Sequence, residues 1–362
     1  MVRSFALRCI AVITLTLLPL TGGCQFASDK MVISNARQMH GDLTPAIVTD
    51  PVLANYVKAL GDRVVETARE LARMNPGSRG HESGEDNAWM FQNVRFHLVN
   101  SDTLNAFTTG GEHVYLYTEL LRTCRTEDEF AAVVAHEFAH IYGRHVHNSY
   151  NNAITIQMLA IGAAVGAMAL DSSDEGYIGT GIAGVAVIGG QLVALNYGRK
   201  DEDEADKLGF RFYTRAGWDP EQFPGFFQTL IDKGHDSGPN LLSSHPRLSD
   251  RVANTRRRIR ELPPDAPSWR QPNVVSQREF ERLQARATEV GRTMPSDRSL
   301  AAAQKLLAAF PSCVSPKETA DQAQARAELL YTYGTEEQRE QVEQQQQQKQ
   351  IPTGPQRDRP SR

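Results

Sequence analysis

His136-Glu137-Phe138-Ala139-His140 constrains this chain more than any other stretch of it. Residues four apart lie on one face of a helix, so both imidazoles can reach a single metal ion, and Glu137 then flanks the coordination position left open. The surrounding residues supply the helix that the pattern needs. Thr126 suits the N-cap, Glu129 three residues later completes a capping box, and the apolar run Phe130 to Ala135 leads into the first histidine. Two imidazoles and a carboxylate on a half-buried helix are costly to desolvate unless a metal engages them. With zinc there, Glu137 stands where it can take a proton from a bound water whose pKa the ion has lowered.

A catalytic zinc site needs a third protein ligand. The metzincin pattern puts a histidine six residues after the second one, with a glycine three residues after it. Gly143 is in place, but the required position is Val146, and His145 and His147 straddle it. That pattern fails, and the two histidines are expected to be exposed residues beyond the helix, outside the site. A second pattern takes a Glu from a later helix, with an Asp one turn further on. Arg199 to Asp206 supplies it: Glu202 and Asp206 share a face, and Asp206 can hydrogen-bond a ligand histidine and fix its tautomer. The bland reading of this acidic run is a solvated helix face, and the neighbouring motif outweighs it.

Around this centre the patterning predicts a mostly helical α+β chain. Leu53, Tyr56, Val57, Leu60 and Val64 recur at helical spacing from Asp50 to about Asn75. Alternation then places Val94, Phe96 and Leu98 on one face of a strand, with a second strand at His113 to Tyr117. Asn105-Ala106-Phe107 and Gly110-Gly111 lie between them, so a small sheet with a hairpin-like connection is expected. Further helices are expected over Asp201 to Gly209 and from Ser243-Ser244-His245-Pro246 to about Glu261. After the linker Leu262 to Pro267, three short helical patterns follow, near Ser276 to Glu289, Asp297 to Ala309 and Lys317 to Tyr331. Too few for a free-standing solenoid, they should pack on the catalytic part. The expected organisation is a signal segment at 1–23, a catalytic domain at 24–262, a helical appendage at 268–333 and a disordered, Gln-rich tail at 334–362.

Arg3 and Arg8 precede the apolar run Ile10 to Leu20, which is too short to span a bilayer and reads as an export signal. Cys24 stands where a lipoprotein is lipidated, although Thr21 replaces the usual Leu, so lipid anchoring and plain secretion both remain open. Gln25 after it favours the inner face of the outer membrane. In such a compartment Cys124 and Cys313 are open to pairing or to remaining two thiols. The apolar stretches Ala153 to Leu170 and Tyr177 to Leu195 read as a helical hairpin that covers the active site or touches the membrane surface. A net charge of -4 offers no basic field, so nucleic acid is not an expected partner. The run Arg256, Arg257, Arg258 and Arg260 reads as a solvated helix face.

The order Asn-Ala-Phe, His-Glu-x-x-His, Glu-x-Glu-Ala-Asp and Ser-His-Pro, spread over about Val52 to Glu261, resembles the family of the CAAX prenyl protease and HtpX, and within it the BepA-like periplasmic members. The resemblance implies a zincin-type catalytic domain, with the active-site helix beneath an edge strand. It implies His136, His140 and Glu202 as ligands of one Zn2+ per chain, Glu137 as base and Asp206 as the acid behind the ligands. His245 and Arg251 are implied as a pair near the reacting carbonyl, where they would stabilise an oxyanion. His245 could instead occupy the fourth zinc position as a latch. Asn105, Ala106 and Phe107 are implied at the strand along which substrates extend. The expected function is zinc-dependent cleavage of misfolded or stalled envelope proteins in the periplasm, with outer-membrane assembly machinery among the partners. The competing expectation is a chaperone or assembly factor with a structural or latent zinc site.

Overall fold

The computed structural model describes residues 29–74, 89–149, 197–234 and 247–310. The sequence is mostly helical with one small sheet, the α+β arrangement expected. In chain order the described elements are helices α1 (Asp29–Leu43), α2 (Pro51–Met74) and α3 (Trp89–Gln92), strands β1 (Arg95–Val99), β2 (Ala106–Thr108) and β3 (His113–Tyr117), then α4 (Thr118–Thr123), α5 (Glu127–Tyr142), α6 (Arg199–Arg215), α7 (Gly225–Asp232), α8 (Leu248–Arg260), α9 (Gln277–Thr293) and α10 (Arg298–Ala309).

The strand order is β1-β3-β2, with β1 parallel to the central β3 and β2 antiparallel to it. This corrects the hairpin expected between the two alternating runs. The hairpin partner of β3 is the short Ala106–Thr108 segment between them, and three residues are too few to carry an alternation signal. Gly110 turns that hairpin at φ 75°, and a Cβ there would lie 2.3 Å from Val146 Cβ. Period-two alternation sorts the sheet faces. Phe96 points at α2, where Gly61 leaves room for its ring; a Cβ on Gly61 would lie 2.0 Å from it. His97, His113 and Tyr115 face the other way, towards α1.

α5 lies beside α2, with the rings of Phe130 and Tyr56 6.2 Å apart, and all sixteen of its residues are buried. Its start bears out half of the expected capping box. Thr126 accepts from the Glu129 N–H at 3.3 Å, but the Glu129 carboxylate accepts from the backbone and side chain of Arg125. α6 crosses α5 at Gly209, where a Cβ would stand 3.0 Å from His136 Cα.

α9 and α10 share the apolar core: Phe280, Leu283 and Leu307 belong to one cluster with Phe130 and Tyr117. Gln284 donates to the carbonyls of Leu121 and Cys124 at 2.8 and 2.7 Å, and the Tyr117 hydroxyl donates to Leu307 O at 2.7 Å. The appendage therefore packs as expected over its described helices. Arg256, Arg257 and Arg260 are exposed, as anticipated, but Arg258 departs from the solvated face: its side chain is 13% exposed and pairs with Asp203 on α6 at 2.7 Å. Among the described residues no helix is long and apolar enough to cross a membrane. The export segment, Cys24, the 153–195 apolar stretches, Ser243 to Pro246, Cys313, the Lys317 to Tyr331 pattern and the tail lie outside the described residues.

Candidate metal centre

α5 brings the Nε2 atoms of His136 and His140 to 3.1 Å from each other. From α6, Glu202 sets one carboxylate oxygen 3.6 Å from His136 Nε2 and the other 3.9 Å from His140 Nε2. Ligand atoms of a tetrahedral zinc, bonded at about 2.0 to 2.2 Å, stand about 3.3 to 3.6 Å apart. The three donors are thus set around one point, and all three side chains are buried.

Glu137 is fully buried, and among the described residues neither of its carboxylate oxygens has a hydrogen-bond partner. A buried carboxylate left so is costly unless a cation or polarised water meets it. Burial, aided by the Glu202 charge and opposed by His136 and Arg251, pushes its pKa up to about 8. An orphaned carboxylate beside two imidazoles and a second carboxylate fits zinc.

Behind the ligands, Asp206 places a carboxylate oxygen 3.0 Å from His136 Nδ1. That contact keeps a proton on Nδ1 and leaves Nε2 free to bind metal. Arg251 clamps Asp206 with two donors at 2.9 and 2.7 Å, reaches within 3.7 Å of Glu202, and lies 4.0 Å over the Phe227 ring. The guanidinium therefore spends donors on Asp206, and its Nη2 also stands 3.4 Å from His136 Nε2, beside the ligand atoms. Burial disfavours charge on Asp206, but Arg251 and His136 together outweigh it and hold the carboxyl below its usual range. On His136, burial and Arg251 oppose charge, and hydrogen bonds with Asp206 and Glu202 prevail, to about 9. Burial, with His136 adding to it, drives His140 well below the ordinary imidazole value.

His145 and His147 depart from expectation: they are 0% and 3% exposed. The chain turns at Gly143 and Arg144, the latter at φ 57°, and folds His145 under the ligand helix. A Cβ on Gly143 would stand 2.4 Å from His145 Nε2. His145 Nδ1 then lies 2.9 Å from His140 Nδ1, and its Nε2 lies 3.5 Å from Glu204. The available signal was Gly143, the one matching residue of a failed pattern. Tyr197 was also missed. Its ring stacks on His140 at 3.9 Å, and its hydroxyl donates to Thr108 O at 3.2 Å, which ties the ligand to β2.

Ala106 and Phe107 lie on β2, at one edge of the three-stranded sheet, as the sequence implied, with Asn105 just before it. Asn105 is buried, donating to Phe310 O at 3.3 Å and accepting from its neighbour Ala106, while Phe107 stacks on Phe310 at 4.0 Å. The structure brings together His136, Glu137, His140, Glu202, Asp206 and Arg251. His245 and Cys24 fall outside the described residues.

Residues 85–259 match the family model described as peptidase family M48. Over 230 residues the chain is 28% identical to the beta-barrel assembly-enhancing protease of Yersinia pestis, covering 63% of this chain and 43% of that protein. The same identity and coverage hold over 235 residues for the protein of that name in Shigella flexneri. The mitochondrial metalloendopeptidase OMA1 of Saccharomyces cerevisiae is 26% identical over 168 residues, 44% of this chain and 45% of that one. The matches thus span less than half the length of these curated relatives.

Proposed function

This chain carries a peptidase family M48 domain, and from that premise we propose that it is a zinc-dependent endopeptidase acting on misfolded or stalled envelope proteins. The observation that carries the reading is Glu137, buried and unpartnered beside the converging His136, His140 and Glu202. These three would hold one Zn2+. When bound, zinc supplies a Lewis acid that acidifies water and polarises a carbonyl. Glu137 takes the proton of the attacking water and returns it to the leaving amine nitrogen. Asp206 orients His136, Arg251 holds Asp206 in its ionised form, and His145 orients His140. Asn105, Ala106 and Phe107 lead into the strand beside which an extended substrate would lie, gaining main-chain hydrogen bonds with little sequence preference. His245, two residues before the described start of Arg247, acts near the metal either on the oxyanion or as a fourth ligand that keeps the enzyme latent. Zinc content and activity of His245→Ala separate the two, since activity rises on removing a latch and collapses on removing a catalytic group.

The substrate class is supported by the relatives' names, which join a protease to β-barrel assembly. It agrees with the expected export signal at 1–23 and lipidation at Cys24, which would put the chain in the periplasm on the inner face of the outer membrane. The assembly machinery there is the proposed partner. Cleavage of an unfolded protein by wild type and by Glu137→Gln tests the mechanism. Equal rates would sink it, and client binding retained by an inactive Glu137→Gln would add a chaperone role to the protease.

A further inference from the structure

Three histidines gather away from the site described above. His40 comes from α1, His97 from β1 and His113 from β3, so three separately placed elements converge there. One ring nitrogen from each lies within 4.8 Å of the others. His97 Nε2 and His113 Nδ1 are 3.0 Å apart, and His40 lies flat on His113 with ring centroids 3.9 Å apart. All three are half-buried, on the sheet face turned away from Phe96 and α2, so solvent reaches them. The neighbouring carboxylate, Glu112, is bound by Arg37 through two contacts of 2.8 and 3.0 Å, and so is committed elsewhere.

We propose that His40, His97 and His113 form a second metal site, for a divalent transition ion of the zinc class. An all-imidazole set suits zinc, nickel or copper and excludes calcium or magnesium, which take oxygen donors. The fourth position is open to water. Closing the donors on one ion requires the His40 ring to turn off the face of His113, because stacked rings aim their lone pairs in parallel. The Tyr115 hydroxyl, 3.0 Å from His40 Nδ1, stays within reach of that ring and can accept from whichever nitrogen carries the proton. The carboxylate beside this cluster, Glu112, is held by Arg37 rather than left without a partner as Glu137 is, and the ion would pin α1 to the sheet that carries β2.

The test is a zinc titration of the metal-stripped full chain. Wild type is expected to bind two equivalents and His40→Gln one, with cleavage retained. His140→Ala is expected to lose the other equivalent, which separates failure of this site from failure of the catalytic one. A single equivalent in wild type, lost in His140→Ala, overturns the proposal, as does a His40→Gln chain that keeps two. As a measure independent of folding of the variants, wild type holding one zinc is titrated with Co2+. A visible d–d absorption band from a tetrahedral nitrogen-rich site, with a further rise in Tm, is expected; neither change appearing overturns it.

Discussion

The Nδ1 atom of His145 stands 2.9 Å from the Nδ1 atom of His140. Two such nitrogens can share only one proton. If His140 binds metal through Nε2, its Nδ1 carries the proton and donates to His145, which leaves His145 Nε2 protonated and facing Glu204 at 3.5 Å. His145 is thus a positioning residue that fixes the tautomer of a ligand. His145→Ala should weaken zinc binding about 10- to 100-fold, measured by chelator competition, with kcat largely restored at saturating zinc. A kcat that stays low in zinc-saturated His145→Ala would contradict a purely positioning role.

Arg251 and Asp206 are both 2% exposed, so neither charge is screened by water. Removing the guanidinium leaves the Asp206 carboxylate with His136 as its remaining partner, at a cost of up to about 3 to 5 kcal/mol for a broken buried pair. Arg251→Met should therefore destabilise the metal-free protein by that order in chemical denaturation, and Arg251→Met with Asp206→Asn by clearly less. Equal losses in the single and double variants would show that the pair is not coupled.

Zinc binding should strengthen as the pH rises. In the metal-free protein His136 is held up to about 9, so at neutral pH it carries a proton that zinc must displace. One displaced proton gives about a tenfold gain in affinity per pH unit between 7 and 9. Calorimetry in buffers of different ionisation enthalpy would count that proton, and a flat affinity profile would refute the assignment. Glu137 adds a stability effect of defined sign. A carboxyl raised to about 8 favours the folded metal-free state fully below its unfolded value near 4.5, and that contribution is lost as the pH climbs through 8. Glu137→Gln should accordingly flatten the fall in metal-free stability between pH 5 and 8, a slope on the order of 1 kcal/mol per pH unit.

The helix bearing the motif and the later ligand helix were legible because both rest on spacing within one element, four residues from His136 to His140 and from Glu202 to Asp206. The same logic found Thr126 as a cap and α2 from its apolar stripe. What failed was long-range. Alternation finds strands but carries no information on their partners, so the parallel pairing of β1 with β3 was unread. His145 sits five residues after His140, off the helical face, and only the reversal at Arg144 returns it to the site. α1 was missed as an element, and with it His40 and the cluster it completes, since no local spacing joins positions 40, 97 and 113. Arg251 was found, but its direction depends on α7 and α8, which turn it onto Asp206 and over Phe227.

The close crossing of α5 and α6 at Gly209 sets the distance at which Glu202 meets the histidines. A Cβ there would lie 3.0 and 3.1 Å from His136 Cα and N and 3.2 Å from Ala135 C. These are backbone atoms of a buried helix, so they cannot swing aside as a side-chain tip would. Gly209→Ala must push the helices apart by several tenths of an ångström, at a cost of about 1 to 3 kcal/mol for overpacking. Glu202 lies two turns earlier on the same helix and moves with it, so the ligand triangle opens although no ligand is changed. Zinc affinity should fall more than tenfold, with His136, His140 and Glu202 all present. Gly198→Ala is the control, since the nearest atom to its added Cβ is an Asp201 carboxylate oxygen at 3.5 Å, ordinary van der Waals contact. It should leave affinity within about twofold of wild type, because it lies at the N-cap of α6 rather than at the crossing. If Gly209→Ala binds zinc as tightly as Gly198→Ala, helix separation does not set the metal geometry.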